Sequence, residues 1–214
     1  DDTEWDDIES NASGTENGVA AIAISPNYAD DELVYLGIYQ DDRSPAKPVV
    51  VRMEEAGEGD VINLKDFPAG ETVLELFDID VWTDEDDYNW IAAATDKDVY
   101  VLKDRLFEDW RIQELDTWTG SADKNGDLTA ETYSFGDALA VAFAPDFDTS
   151  NLMWAIIADN INEFWLVATI SPGQWGQEVG DACVHVSNTL LGLDAYKFGA
   201  DMDFPDDYDS DDQI

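Results

Sequence analysis

The chain has 214 residues, with 50 acidic against 10 basic side chains and a formal net charge of −40, yet 44% of it is apolar, including 8 Trp, 8 Tyr and 9 Phe. That apolar content is enough for a filled core and excludes a disordered chain; the charge disfavours nucleic acid and anionic membrane as direct partners, because nothing neutralises phosphate. A single cysteine, Cys183, rules out an internal disulfide framework, and the longest apolar runs fall far short of the ~18 residues of a spanning helix.

The acids divide into 35 Asp and 15 Glu. Spread over a folded surface of roughly 10,000 Å² they lie about 14 Å apart. They therefore repel one another where the Debye length is about 30 Å, in dilute buffer, and hardly at all where it is about 3 Å, in brine. Salt or bound divalent cations must relieve this repulsion, which fits a salt-loving organism or an extracellular surface bathed in calcium. A merely solvated acidic surface weighs equally against any specific use of the charge.

In chain order, residues 1–18 form an acidic, polar lead-in. The sequence opens on Asp1 without a signal peptide, as expected of a processed or excised segment. Asn11-Ala12-Ser13 is an N-glycosylation sequon, so Asn11 is a candidate for modification in an extracellular setting. From Val19 onward one pattern recurs: an apolar strand, a proline, an aromatic, a polar loop and a second apolar strand. It reads "AIAISPNYADDELVYLG" from Ala21, "ALAVAFAPDFDTSNLMWAII" from Ala138 and "GADMDFPDDYDSDDQI" from Gly199, with a degenerate copy in "LFDIDVWTDEDDYNWIAAA". The marks at Pro26, Thr83, Pro145 and Pro205 are 57, 62 and 60 residues apart.

Each part has a physical reason. Proline cannot donate to a ladder, so pairing stops there; Asp, Asn and Ser bond their own backbone in the loop; the next run, rich in Val, Trp, Tyr and Ile, returns antiparallel. Two more strands fit before each following mark: "PVVVRMEE" and "VINLKDF", "DVYVLKD" and "DWRIQELD", then "FWLVATIS" and "ACVHVS". Four short strands per ~60 residues without a convincing helix predict an all-β chain of four-stranded antiparallel β-propeller blades. Residues 19–214 then hold about three and a half blades of what is expected to be a longer polypeptide.

The stretch "SPNYADDELVYLG" resembles the repeats of secreted propellers of the BNR and sortilin type, and those of prokaryotic surface-layer-like glycoproteins. The resemblance is carried by the strand–Pro–loop–strand pattern; the Asp-box Ser-x-Asp-x-Gly-x-x-Trp is absent, and "SPGQWGQEV" has only its Trp. It implies an extracellular propeller.

Among chemical candidates, "DKNGDLTAE" places Asp123, Asn125, Asp127, Thr129 and Glu131 at alternate positions from which oxygens can converge on calcium. An EF-hand asks for Gly where Leu128 stands and an acid where Ser134 stands, and Asn125-Gly126 is also a plain turn signal. The recurring loop acids Asp30, Asp31, Asp86, Asp87, Asp209 and Asp211 are candidates for divalent cations or a neighbouring subunit at equivalent corners, against simple turn capping. Cys183 and His185 share a strand face but give at most two ligands, where zinc needs three or four. A glycosidase needs a carboxylate pair in a pocket, which 50 acids leave arbitrary; Arg43, Arg52, Arg105 and Arg111 do not sit at equivalent blade positions. Trp82, Trp90, Trp154, Trp165 and Trp175 are read as packing between blades ahead of sugar stacking.

The expectation is a non-enzymatic structural component of a cell-surface or surface-layer-like assembly. It is extracellular, dependent on salt or calcium, and self-associating or partnered by other envelope proteins. The alternatives are a carbohydrate- or protein-binding adhesion propeller and, behind it, a secreted glycoside hydrolase.

Overall fold

A computed structural model describes residues 18–40, 47–54, 61–68, 72–106, 108–113, 135–159, 164–169, 183–186 and 202–204, with 164–169 and 183–186 as backbone. Among the described residues twelve strands form three sheets. Sheet 1 holds β1 (Gly18–Ile24), β2 (Val34–Gln40), β3 (Lys47–Met53) and β4 (Val61–Asn63). Sheet 2 holds β5 (Leu76–Thr83), β6 (Asn89–Thr95), β7 (Val99–Lys103) and β8 (Arg111–Gln113). Sheet 3 holds β9 (Phe135–Phe143), β10 (Met153–Asp159), β11 (Phe164–Thr169) and β12 (Cys183–Val186). Each sheet is an antiparallel meander in chain order. All six strands expected between the marks are present. Of the fourth copy only residues 202–204 are described; Pro205, Asp209 and Asp211 lie outside the described residues, as do Asn11 and the segment from Asp123 to Glu131.

The loop after each first strand refines the repeat. After Pro26 and Pro145 the chain makes a single helical turn rather than an open polar loop: α1 (Tyr28–Asp31) and α2 (Phe147–Ser150). The two loops share a hydrogen-bond set. Ser25 N donates to Leu33 O and Ala144 N to Leu152 O, at 3.1 and 3.0 Å. Asp31 N donates to Asn27 O, and Ser150 N to Asp146 O, at 3.0 and 2.9 Å. Each turn ends in the left-handed region, at Glu32 (φ 53°) and Asn151 (φ 54°), which closes a helical turn. In sheet 2 the closing bond is Asp84 N to Tyr88 O, so Ser25, Asp84 and Ala144 are equivalent, 59 and 60 residues apart. Thr83, taken as the second mark, is instead the last residue of β5, paired with Asn89. The shorter turn, closed by Asp87 at φ 63°, displaced the mark.

Residues paired across a ladder share a face, and the three sheets stack in chain order through opposite faces. Tyr35 and Val50 of sheet 1 meet Ile79, Val81, Ile91, Ala93 and Leu102 of sheet 2 in one buried cluster. The reverse face of sheet 2, with Ala92, Ala94, Val99 and Val101, meets Ala138, Val141, Phe143, Met153 and Ala155 of sheet 3 in another. Sheet 2 is therefore covered on both sides, which is why "IAAAT" and "VYVLK" run apolar without alternating. The stacking is head to tail: in both seams the face carrying Tyr35 or its counterpart Trp90 packs on the next sheet's face carrying Ile91 or its counterpart Ala155.

Gly37 on β2 marks a close approach in the first seam. A Cβ there would lie 2.5 Å from Leu76 Cδ2 and 3.6 Å from Ala21 Cβ. Gly37→Ala is expected to lower stability by about 1–3 kcal/mol through overpacking, measured by urea unfolding; unchanged stability would mean that Leu76 moves aside freely and the seam is loose.

Candidate functional site

The seam between sheets 1 and 2 carries a polar network at the end where the β1–β2 and β5–β6 loops meet. Asn89, buried at the start of β6, is its hub. Its Nδ2 donates to Asp31 Oδ2 at 3.2 Å and to Tyr35 Oη at 3.1 Å, and its Oδ1 accepts from Thr83 Oγ1 at 2.6 Å. Ser25 Oγ donates to Asp31 Oδ2 at 2.6 Å and lies 3.3 Å from Asn89 Oδ1. Tyr35 Oη in turn donates a hydrogen bond to Asp104 Oδ2 at 2.8 Å. Arg52 Nη1 donates to both oxygens of Asp104 at 2.9 Å, and Nη2 to Glu54 Oε1 at 2.7 Å.

Burial, then the charge of Asp104, pushes the Tyr35 phenol far above its ordinary range, so it stays a neutral donor. For Arg52, burial works against the charge, but the hydrogen bonds and charge of Asp104, then those of Glu54, outweigh it and raise its pKa. An ion pair with Asp104 almost out of solvent (8% exposed) needs every partner in place, because one charge left alone is costly.

This network ends at an open groove of about 650 Å³ between the sheets, lined by Arg52, Leu64, Lys65, Tyr88, Arg105 and Leu106 among others. Three of the ten basic residues of the chain lie here, and each is held by an acid: Arg52 by Asp104, Lys65 by Asp109 at 2.6 Å and Arg105 by Glu108 at 2.6 Å. Arg105, with Arg111, also holds the Glu108 carboxyl below the usual range. Exposed Leu106 and Tyr88 stand beside these fixed charge pairs along the groove.

The seam between sheets 2 and 3 uses the same register differently. Phe147, from the loop of sheet 3, packs edge-on against Trp82, Trp90 and Phe143, with ring centroids 4.8 to 6.3 Å apart. Trp82 and Trp90 thus pack in the second seam as expected, and Trp110, whose indole N–H donates to Lys65 O at 2.6 Å, packs in the first; Trp154 is buried, and the Trp165 side chain and Trp175 lie outside the described residues. Beside the second-seam aromatics Asp84 accepts from Lys103 Nζ, from Trp90 Nε1 at 2.9 Å and from the backbone N–H groups of Asp86 and Tyr88 at 3.0 Å. Burial alone would raise its pKa; the Lys103 bond and the other donors instead bring it down to about 2. Lys103 also lies over the Tyr88 ring, 4.7 Å from its centroid.

Of the sequence candidates, Asp31 is brought into the network, where it also caps Leu33 N at 3.0 Å; Asp30 contributes a backbone N–H within α1. Asp87 Oδ1 accepts from Asn27 Nδ2 at 3.4 Å, linking the two loops, and Asp86 donates its N–H to Asp84. Cys183 and His185 pair with Val167 and Trp165 on the outer strand of sheet 3. Among the described residues no three His, Cys, Asp or Glu side chains are grouped to hold a metal ion, and no helix is long and apolar enough to cross a membrane. Sequence reasoning missed Asn89, Tyr35 and Asp104, which lie 52 to 69 residues from their partners across the seam and form no motif. The only local signal was a polar Asn beginning an otherwise apolar strand.

Asn89→Ala would strand buried partners on both sheets and is expected to cost about 2–3 kcal/mol, read from denaturant unfolding; a loss under about 0.5 kcal/mol, typical of a surface site, would exclude the network as a fastener. Asp84 has a folded pKa below the ~3.9 of an unfolded Asp, so its stabilisation is complete above about pH 4 and is lost as pH falls towards 2. Asp84→Asn should therefore remove on the order of 2 kcal/mol at neutral pH and flatten the acid limb of the stability curve; parallel curves for variant and parent would refute this. Comparison of the chain with protein-family models, with curated proteins and with solved structures gave no match.

Proposed function

We propose that the chain supplies consecutive blades of a β-propeller within a non-enzymatic, extracellular structural component of a cell-surface or surface-layer-like assembly. Its partners on this reading are copies of itself or other envelope proteins, and salt or calcium is its counterion. The observation that carries the reading is the head-to-tail repetition of one four-stranded unit, each packing on the next through the same pair of faces. A unit that presents a new copy of its first face at every step builds rigid area in proportion to length. The net charge of −40 then clothes that area in carboxylates, which hold water and counterions.

A second reading, an adhesion propeller that binds carbohydrate or protein, is favoured by the groove beside Tyr88 and Leu106. Its arginines, Arg52 and Arg105, are committed to Asp104, Glu54 and Glu108, which suits a neutral ligand better than an anionic one.

Thermal unfolding in dilute buffer, in dilute buffer with millimolar calcium, and in molar sodium chloride tests the structural reading. Self-repulsion at −40 should fall away with screening, raising Tm by about 10 °C or more in brine. A rise of that size with millimolar calcium alone would instead assign the counterion to specific sites. A Tm indifferent to both would overturn the idea that this surface is built for an ionic setting.

A further inference from the structure

In sheets 2 and 3 the first strand is covered by the sheet before it. In β9 the side chains on that face, Ala138, Val141 and Phe143, are 0, 2 and 5% exposed. Ladder register makes Val19, Ile22 and Ile24 their counterparts in β1: Val19 pairs with Ile38, Ile22 with Leu36 and Ile24 with Val34, as Ala138 pairs with Ile157, Val141 with Ala155 and Phe143 with Met153. Even the register shift falls at the same place, between Val19 and Ala21 and between Ala138 and Ala140. Yet Val19, Ile22 and Ile24 are 52, 62 and 58% exposed. The strip continues a face on which Leu36, Ile38, Val49, Val51 and Met53 are buried. It is the outer edge of its sheet, where unpaired backbone groups offer a template to another chain.

The second seam shows what such an edge takes. β5 lays Asp78, Asp80 and Trp82 against β9, on the face that pairs with Ala94, Ala92 and Trp90. The Asp78 carboxylate accepts Val141 N–H at 2.9 Å, and that of Asp80 accepts Phe143 N–H at 2.7 Å. Two carboxylates at i and i+2 thus occupy the outward amides of an edge strand while an aromatic two residues on fills the apolar corner. By register the amides of Ile22 and Ile24 occupy the positions of those of Val141 and Phe143. In β1 the residues on the face that pairs with Gly37 and Tyr35 are Ala21 and Ala23, so sheet 1 itself offers no such carboxylates to sheet 2.

We propose that the leading edge of β1 is an assembly face whose partner is a β-strand presenting Asp-x-Asp-x-aromatic, the chemistry that β5 presents to β9, carried by another polypeptide. The apolar strip of Val19, Ile22 and Ile24 supplies contact area, and the amides of Ile22 and Ile24 supply charge-assisted donors that fix register. A second copy of the chain is a poor source, since its own Asp78 and Asp80 are engaged with β9. The inference rests on the packing of the sheets and stands apart from the surface role proposed above.

A labelled nonapeptide with the sequence Glu-Leu-Phe-Asp-Ile-Asp-Val-Trp-Thr, that of residues 75–83, titrated with the full chain in molar sodium chloride, tests this by fluorescence anisotropy; the salt screens repulsion between two acidic partners. Saturable binding is expected, weakened about tenfold when both peptide aspartates are Asn and lost in the Ile22→Lys/Ile24→Lys chain. Circular dichroism should report that variant as folded, because both side chains are more than half exposed. Ile22→Pro, which removes one outward amide from an edge strand that tolerates proline, should weaken binding while keeping the apolar strip. Absence of saturable binding, equal affinity for the Asn peptide, or undiminished binding by the Lys variant would overturn the proposal. So would a dimer of the parent chain in size-exclusion that the Lys variant dissolves, which would make the occupant a second copy.

Discussion

A small sheet that is apolar on both faces cannot stand alone, and this constraint governs the molecule. β6 and β7 are buried almost along their lengths, so sheet 2 exists as folded only while sheet 1 lies on one side and sheet 3 on the other. Burial of this kind, at about 25 cal/mol per Å² of apolar surface, is non-directional. It holds the sheets together without fixing how they slide. The residues that set the slide are those with directional bonds or strict shape across a seam: Asn89, Asp104 and Arg52 in the first, Asp78, Asp80 and Phe147 in the second, and Gly37 where backbone and Leu76 approach closely.

The two seams meet the same geometric need with different chemistry. Tyr35 and Trp90 are equivalent by register, as are Thr83 and Phe143, and Arg52 and Lys103. In the first seam these positions build a polar lattice that reaches the groove; in the second they build an aromatic cluster with its charge pair folded back onto Asp84. Arg52 bonds across to Asp104 of the next sheet, whereas Lys103 bonds to Asp84 of its own. The Arg52 guanidinium has donors enough to hold Asp104 through Nη1 and Glu54 through Nη2 at once, which suits a bond between separate sheets. Lys, a point charge above Tyr88 and Trp90, suits a local knot.

The sheets were legible because their signal is local: alternation, Val- and Ile-rich runs and the proline after the first strands of sheets 1 and 3 mark where pairing begins and stops. The mark assigned to Thr83 slipped because a tight turn replaced a helical one and no proline stood there to anchor it. The seam network was not legible, since Asn89 touches Ser25, Asp31 and Tyr35 only after two sheets have stacked. In a chain with 50 acids, Asp104 and Asp84 carry no distinguishing mark; what sets them apart is the donors around them. Asp137 illustrates the same point, since its pKa is raised by burial and then by Asp96 and Glu75, three acids that no spacing rule would have grouped.

The matched loops after Pro26 and Pro145 bear on how such a surface can diversify. From Ser25 to Leu33 and from Ala144 to Leu152 the backbone follows one path with one set of internal bonds, yet most of the side chains differ, Tyr28-Ala29-Asp30-Asp31 in one and Phe147-Asp148-Thr149-Ser150 in the other. The nine residues behave as a cassette whose ends are fixed by the sheet and whose exterior is free to be rewritten. The chemistry shown at the corners of sheets 1 and 3 can therefore change at the outward positions Ala29, Asp30, Asp148 and Thr149, while Asp31 and Phe147 stay committed to the seams beneath.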